Sequence, residues 1–295
     1  MKKPTEKLAR IGLIANPEKP SCRQAITRVV QFIKDRGAEA LYDAGAAAFA
    51  PGPASAEIFE TKALAAQADM LLVFGGDGTM LRAAREAADG TAPLLGINTG
   101  RLGFLTAVSV KNLDKALVKI WAGEFSLESR PLIEASVLPA RSKETMLALN
   151  DFVIGRGDVS RAIELEVTVD GELLTQYLGD GLIVSSPTGS TAYSLAAGGA
   201  IVSPQARVFA LTPICPHALS NRTVIVSLDS VVRVSILSRK LATILSADGQ
   251  TQETLSPRDR VEIRHGKRCV RLVRLEGSSF FATLRRKLDW RGTSV

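Results

Sequence analysis

The residue with the clearest chemical potential in this sequence is an aspartate between glycines, placed where an apolar run ends. The run Leu71–Phe74 is typical of a buried parallel strand, the sequence Gly75–Thr79 (GGDGT) follows it, and the helical pattern Met80–Ala88 begins at once. Open α/β sheets bind ligands at the carboxyl ends of their strands, and a helix N-terminus favours an anion such as phosphate. The pattern therefore predicts a phosphate site built around Asp77. The alternative is a turn whose aspartate only caps the helix.

Two better-known phosphate loops are absent from the sequence. It contains no G-x-x-x-x-G-K-[ST] segment, so the lysine of a P-loop is missing. It also contains no G-x-G-x-x-G after a strand, which excludes the ordinary dinucleotide fingerprint. Any phosphate chemistry here depends on an acid.

A second candidate is the pair Asn150–Asp151, which interrupts the apolar run Met146–Ile154. Buried polar groups need hydrogen-bond partners. The pair marks a turn or strand end in one interpretation, and contacts a ribose hydroxyl or an adenine edge in the other. These residues alone leave both interpretations open.

A third candidate is Asp180, another acid between glycines, with the hydroxyl-rich segment that follows it. Six of the ten residues from Ser185 to Ser194 are serine or threonine, and they lie at the start of a short helical pattern. A helix N-cap needs only one hydroxyl. The excess favours a loop that binds a sugar or a phosphate.

Two further loops carry weaker signals. The proline-containing loop Thr212–Arg222 holds His217, which is interpreted as structural, although with Arg222 it would suit a phosphate. Asp248-Gly249-Gln250 is interpreted as a hairpin turn, with Gln250 available as a polar contact.

The elements that would position these residues change in kind near Arg130. Strand and helix patterns alternate before it, which predicts a helix-covered parallel sheet; short β-rich runs follow it, and Asp170-Gly171 predicts a hairpin. The pattern from Phe280 predicts a closing helix that packs back on the first domain.

The sequence predicts the following elements. The strands are 11–15, 70–74, 93–98, 133–138, 145–154, 163–169, 173–177, 182–185, 207–212, 223–228, 231–237, 242–246, 260–264 and 269–275. The helices are 22–34, 80–88, 112–121 and 280–288, and residues 46–54 are predicted to be a loop.

Composition limits the class of partner. Of the 295 residues, 46% are hydrophobic and 23% charged, which is ordinary for a soluble globular protein. The net charge of +7 suits polyanionic ligands, but the basic residues are spread and only 5% of residues are aromatic, so nucleic-acid binding is not expected.

The sequence has no apolar run long enough to span a membrane and no signal-peptide core, which predicts a cytoplasmic protein without a membrane partner. Three scattered cysteines and two histidines predict reduced thiols and no conventional zinc site.

Taken in chain order, these segments resemble the NAD kinase family. The matching segments are Gly75–Thr79, Asn98–Thr106 (NTGRLGFLT), Asn150–Asp151, Asp180–Gly199, Pro213–Arg222 and Asp248–Gln250. The GGDG element is shared with lipid kinases that act on diacylglycerol or sphingosine, whereas S-x-P-T-G-S-T-A-Y-S-L-x-A-G-G is more specific to NAD kinases. The resemblance implies an N-terminal α/β domain (1–130), a larger β-sandwich domain (131–277) and a returning helix (278–295), with NAD held between the domains.

The reaction that the resemblance implies is transfer of the γ-phosphoryl group of ATP to the 2′-hydroxyl of the adenosine ribose of NAD. A neutral hydroxyl is a poor nucleophile, so a carboxylate that takes its proton helps as general base, and Asp77 is predicted to be that base. Mg²⁺ is the expected cofactor. A homodimer or homotetramer is the expected assembly.

The resemblance also implies the binding residues. Gly75, Gly76, Gly78 and Thr79 form the phosphate loop. The implied NAD contacts are Asp77, Gly78, Arg82, Asn150, Asp151, Arg161, Asp180, Thr191, Ala192, Tyr193, Ser194, Leu195, Ala196 and Gln250. Two alternative functions remain, a GGDG-type lipid kinase and a nucleotide-binding sensor without turnover.

Overall fold

The computed structural model describes residues 8–50, 57–100, 103–140, 145–157, 161–238 and 241–290. The chain divides into unit 1, made of Met1–Ser129 and Val270–Val295, and unit 2, made of Arg130–Cys269. The strands are β1 (Arg10–Ala15), β2 (Glu39–Tyr42), β3 (Met70–Gly75), β4 (Leu94–Asn98), β5 (Val108–Ser109), β6 (Phe125–Leu138), β7 (Met146–Ala148), β8 (Asp151–Arg156), β9 (Ile163–Val169), β10 (Glu172–Gly179), β11 (Gly181–Ser185), β12 (Val208–Ile214), β13 (Val224–Ser227), β14 (Val232–Ile236), β15 (Thr243–Ala247), β16 (Thr251–Leu255) and β17 (Arg260–Leu275). The helices are α1 (Cys22–Lys34), α2 (Ala44–Ala47), α3 (Thr61–Gln67), α4 (Asp77–Glu86), α5 (Leu113–Trp121), α6 (Tyr193–Ala196) and α7 (Phe280–Lys287), with 3₁₀ turns at Val110–Asn112 and Thr188–Thr191.

Unit 1 is built on a parallel sheet in the order β2-β1-β3-β4. β5 and the C-terminal part of β17 pair in parallel with β4. Every residue of β3 and β4 is buried, as expected for parallel strands covered on both faces. The predicted α/β class of this part of the chain is confirmed.

Helix α1 shows how the sequence builds this layer. Its buried residues recur at helical spacing and pack into the same core as the central strands; they are Cys22, Ala25, Ile26, Val29 and Ile33. The helix begins at Cys22 and ends at Lys34, the bounds predicted from the sequence.

Helix α7 belongs to unit 1 and closes the chain there. The hydroxyl of Ser279 caps it by accepting a hydrogen bond from the backbone N–H of Ala282. The ring of Phe280 lies 6.3 Å from the ring of Phe104, and the ammonium of Lys287 lies 5.6 Å from the same ring. The closing helix therefore packs on the N-terminal part, as expected.

Unit 2 contains two antiparallel sheets. One has the order β10-β9-β14-β17, with β6 paired to β17 and β7, and the other has the order β13-β12-β11-β8-β15-β16. Inward side chains of both sheets, such as Phe152, Phe209 and Val234, share one apolar core. The arrangement is the β sandwich that the resemblance implied.

Several details differ from the sequence prediction. The strands β2 and β16 and the helix α3 were not predicted, and the predicted strand 145–154 is two strands, β7 and β8. The predicted strands 260–264 and 269–275 are one strand, β17. The predicted loop 46–54 overlaps α2, which Asp43 caps by accepting from the N–H of Ala46; residues 51–54 of that loop lie outside the described part.

Candidate active site

Asp77 is the first residue of α4, directly after β3, and its carboxylate is fixed by backbone amides from another segment. Oδ2 accepts a hydrogen bond from the N–H of Phe104 (2.8 Å), and Oδ1 accepts one from the N–H of Leu105 (3.0 Å). The N-cap of α4 is Gly76, and no side chain caps the helix. Asp77 is therefore not a helix cap. Each carboxylate oxygen keeps lone-pair capacity for a further partner.

Gly103 lies against this carboxylate. A Cβ placed on Gly103 would overlap Oδ1 of Asp77 and would lie 2.8 Å from Oδ2. A Cβ on Gly100, in the same segment, would meet no described atom within 4 Å. Only the first of these two glycines is required by the packing around Asp77, and the sequence did not distinguish them.

The segment that carries Gly103 is tied to the end of β3. The side chain of Asn98 donates to the hydroxyl of Thr106 (3.1 Å) and accepts from the N–H of Gly100 (2.8 Å). The N–H of Thr99 donates to the carbonyl of Gly75 (3.1 Å). Arg101 and Leu102, which belong to the matching NTGRLGFLT segment, lie outside the described residues.

The predicted phosphate loop forms the turn between β3 and α4. A Cβ on Gly75 would overlap the hydroxyl of Thr79, so that position has to stay small. Thr79 is buried and Gly78 is exposed. The position that a Cβ would take on Gly76 lies 3.6 Å from Nζ of Lys19, a residue outside every motif described above.

Arg82, a predicted NAD contact, forms ion pairs within unit 1. Its guanidinium lies 3.2 Å from Oδ2 of the buried Asp43 and 3.7 Å from Glu86. Burial raises the pKa of Asp43, against the lowering effect of hydrogen bonds from the backbone and from Arg82. This pairing gives Arg82 a structural role in the described residues, and its contact with NAD stays a prediction.

In unit 2, Asn150 lies in the turn before β8, and Asp151 is the first residue of that strand. The pair therefore does mark the end of a strand, as the first of the two interpretations predicted. The side chain of Asp151 is buried, and neither its carboxylate nor the amide of Asn150 is hydrogen-bonded to another side chain or backbone group in the described parts of the chain. Burial first, and the nearby charge of Asp248 second, raise the pKa of Asp151 to about 7.

Asp248 positions the backbone of this pair. Its carboxylate accepts hydrogen bonds from three consecutive N–H groups, those of Leu149 (3.1 Å), Asn150 (2.7 Å) and Asp151 (3.3 Å). Its own N–H donates to the carbonyl of Asp151 (3.0 Å). Asp248 does occupy the predicted turn, between β15 and β16, but no sequence pattern indicated that its side chain also positions residues 149–151.

The hydroxyl-rich segment is held together by its own hydroxyls. Ser186 donates to the carbonyl of Leu149 (2.6 Å), Ser190 donates to the carbonyl of Pro187 (2.8 Å), and Ser194 pairs with Thr212 (2.9 Å). These three hydroxyls therefore form hydrogen bonds within the protein, and a contact of any of them with a ligand stays a prediction. Thr191 is half-buried and its hydroxyl donates to a carbonyl (3.4 Å), whereas the side chain of Tyr193 is 47% exposed.

This segment packs on the turn at Asn150. The N–H of Ser186 donates to the carbonyl of Asn150 (2.8 Å), and a Cβ on Gly189 would overlap that same carbonyl. The structure thus brings together Asn150, Asp151, Asp248 and the residues 185–189 at one end of β11.

Asp180 lies at the other end of β11, where the chain passes from one sheet of unit 2 to the other. Gly181 pairs with Gly155, while Ser185, four residues further along the strand, pairs with Asp151. The carboxylate of Asp180 pairs with Nε of Arg156 at 2.9 Å. The structure therefore does not place Asp180 beside Asp151. Leu195 and Ala192 are half-buried, and Arg161, Ala196 and Gln250 are exposed.

Two features are absent from the described residues. No three or more histidine, cysteine, aspartate or glutamate side chains in the described parts of the chain are grouped so that they could hold a metal ion. Among the described helices, none has the length and apolar character needed to cross a membrane.

Comparison with known proteins gives consistent matches along the chain. Residues 11–125 match the model of the ATP-NAD kinase N-terminal domain, and residues 149–275 match that of the ATP-NAD kinase C-terminal domain. The NAD kinase of Moorella thermoacetica is 41% identical over 286 residues, which cover 97% of this chain and 91% of that protein. An NAD kinase from Archaeoglobus fulgidus, solved in complex with ATP, superposes with a TM-score of 0.74 at 26% identity and covers 96% of this chain and 100% of its own. Yeast NADH kinase, solved with NADH, shares the fold with a TM-score of 0.89 at 24% identity, over 99% of this chain and 90% of its own.

Proposed function

This chain belongs to the NAD kinase family, and from that premise we propose how its residues carry out the reaction. The activity is the phosphorylation of NAD by ATP, which gives NADP. The observation that supports our assignment of the chemistry to unit 1 is the carboxylate of Asp77, which two backbone amides fix at the end of the GGDG turn.

In the proposed reaction, Asp77 accepts the proton of the ribose 2′-hydroxyl as the oxygen attacks the γ-phosphorus of ATP. A bond forms between the 2′-oxygen and the γ-phosphorus, and the bond from that phosphorus to the β–γ bridging oxygen breaks. The bridging oxygen leaves with the electron pair as part of ADP. The amides of Phe104 and Leu105 keep the carboxylate oriented during this transfer.

Mg²⁺ is the cation that we propose for this reaction. Because the described residues offer no group of three acidic, histidine or cysteine ligands, a metal held mainly by ATP phosphates fits them better than a protein cage. In the GGDG turn, the carboxylate of Asp77 would contribute an oxygen ligand to this cation. When bound, the cation neutralises phosphate charge.

We propose that Asn150 and Asp151 bind the adenosine of NAD. Three observations support this: their backbone is fixed by Asp248, their side chains have no protein hydrogen bonds in the described parts, and Asp151 is nonetheless buried. The remaining contacts are proposed on the family resemblance alone: Gly78, Arg82, Arg161, Asp180, Thr191, Ala192, Tyr193, Ser194, Leu195, Ala196 and Gln250.

One assay tests the function directly. The protein is incubated with ATP, Mg²⁺ and NAD, and NADP is measured, with diacylglycerol and sphingosine as competing acceptors. Formation of NADP without a lipid phosphate is expected. A lipid phosphate as the main product would instead support the lipid kinase, and tight NAD binding without any product would support the sensor.

The NAD contact of Asp151 is tested by thermal unfolding with and without NAD, since a ligand stabilises a protein only by binding its native state. The increase in melting temperature that NAD causes should shrink sharply in Asp151→Ala. An unchanged increase would remove Asp151 from the site.

We also propose that the protein forms a homodimer or a homotetramer, which light scattering can test. The cytoplasmic location stays a prediction.

A further inference from the structure

The turn that carries Lys19 is anchored to the end of β3. β1 and β3 are parallel neighbours, and Ala15 pairs with Phe74, so their carboxyl ends lie at the same edge of the sheet. The N–H of Asn16 donates to the carbonyl of Phe74 (3.3 Å). The N–H of Lys19 then donates to the carbonyl of Asn16 (3.1 Å), and the N–H of Cys22 donates to the carbonyl of Lys19 (2.9 Å). The backbone of Lys19 is thereby fixed next to the GGDG turn.

The side chain of Lys19 points to that turn. Its ammonium lies 3.6 Å from the position that a Cβ would take on Gly76, the N-cap of α4. Lys19 is half-buried and forms no ion pair with the residues that the structure describes. The nearest acid in sequence to Gly76 is Asp77, whose two oxygens accept from the amides of Phe104 and Leu105.

The position of this ammonium has an electrostatic consequence. A helix N-terminus carries partial positive charge, so a cation beside it is unfavourable by itself. An anion bound next to both is stabilised by the helix and by the ammonium together. A purely structural role explains this arrangement poorly, because the turn is already held by its backbone hydrogen bonds.

We propose that the ammonium of Lys19 binds the γ-phosphoryl group of ATP during its transfer, and so supplies the cation that the GGDG sequence itself lacks. This inference rests on the proposed function and concerns the donor side of the same reaction. As the bond to the bridging oxygen breaks, negative charge shifts onto the departing ADP and the phosphoryl oxygens. Lys19 stabilises that charge without gaining or losing a proton.

The test compares three variants with the wild type. Lys19→Met removes the ammonium with little change in length, Lys19→Arg keeps a cation, and Lys34→Met removes an exposed lysine of α1 as the control. We expect Lys19→Met to lower kcat/KM for ATP about a hundredfold, the scale found for the loss of one group that stabilises charge in a transition state. KM for NAD and the melting temperature should stay close to the wild type. Lys19→Arg should recover most of the activity, and Lys34→Met should resemble the wild type.

Two outcomes would overturn this role. One is a Lys19→Met variant that matches Lys34→Met in kcat and in KM for ATP. The other is a loss of activity that follows a fall in melting temperature and is not recovered by arginine, which identifies a structural lysine. A wild-type protein that forms no NADP would instead reject the proposed function, and the wild type is therefore assayed first.

Discussion

Gly103 packs directly against the carboxylate of Asp77, in space that no side chain at position 103 could share with it. The backbone that follows Gly103 donates the two hydrogen bonds that orient this carboxylate. The geometry of the proposed base thus depends on the absence of a side chain in another segment.

We predict that Gly103→Ala will greatly reduce kcat, because the new Cβ forces the Asp77 side chain away from the amides of Phe104 and Leu105. The expected loss is about a hundredfold, the usual scale for losing a general base. Steady-state kinetics will measure it. Gly100→Ala is the matched control and should retain activity, since its Cβ meets no described atom. Equal activity of both variants would show that the placement of Asp77 does not matter.

Asp77→Asn is predicted to lower kcat by about a hundredfold or more while NAD affinity stays near the wild-type value. Asparagine keeps one acceptor oxygen for the two amides but cannot take the proton of the ribose hydroxyl. Turnover and NAD binding should be measured side by side, with the exposed Asp35→Asn as control. Near-normal turnover of Asp77→Asn would mean that the carboxylate only holds residues 103–105.

Asp151 makes the stability of the protein depend on pH. Its pKa is about 7 in the native state, whereas an unfolded aspartate has a pKa of about 4. Between these values the native state keeps a proton that the unfolded state has lost, so the free energy of unfolding falls as pH rises. The full effect is at most about 4 kcal/mol.

Asp151→Asn should remove this dependence. Without NAD, the variant should match the wild type near pH 4 and be more stable than it above pH 7. Denaturant unfolding at a series of pH values measures the difference, and Asp35→Asn should keep the wild-type profile. A parallel decline of Asp151→Asn and wild type between pH 4 and 7 would contradict the raised pKa.

Asp248→Ala is predicted to weaken NAD binding, since the amides of Leu149, Asn150 and Asp151 lose their shared acceptor. We also expect a loss of about 2 kcal/mol in stability, the range for buried donors left unpaired. Asp170→Ala is a closely matched control. Asp170 also has positive φ, precedes a glycine in a turn of unit 2, and accepts a backbone hydrogen bond, from Val231 (2.8 Å).

The control should lose stability without any change in the NAD dissociation constant, which calorimetry can measure for both proteins. A similar loss of NAD affinity in both variants would show that general loosening of unit 2, rather than the fixed turn at Asn150, explains the effect.

Elements with their own apolar period were predictable from the sequence, and elements that depend on a neighbour were not. Helix α1 and strand β3 carry complete patterns of buried residues. Strand β16 has mostly exposed polar residues and forms by pairing with β15 at a sheet edge. Its β structure comes from tertiary context, which a single-sequence pattern does not contain.

The same distinction applies to the candidate site. The GGDG turn was recognisable because the strand, the glycines and the helix are adjacent in sequence. The groups that position its acid and the turn proposed to bind NAD come from far along the chain: Phe104 is 27 positions from Asp77, and Asp248 is 98 positions from Asn150. The number of serine and threonine residues in the segment 185–194 also did not show which of their hydroxyls form hydrogen bonds within the protein.

Unit 1 is assembled from two separate pieces of the chain, Met1–Ser129 and Val270–Val295, whereas unit 2 is continuous. During synthesis on a ribosome, the chain emerges from its N-terminus. All residues of unit 2 are therefore translated before the last strand segment and α7 of unit 1 exist. Val270 follows Asp77 by 193 positions, so the GGDG turn is synthesised long before the second piece of unit 1, and a chain cut before Val270 lacks the strand segment and the helix α7 that complete this unit.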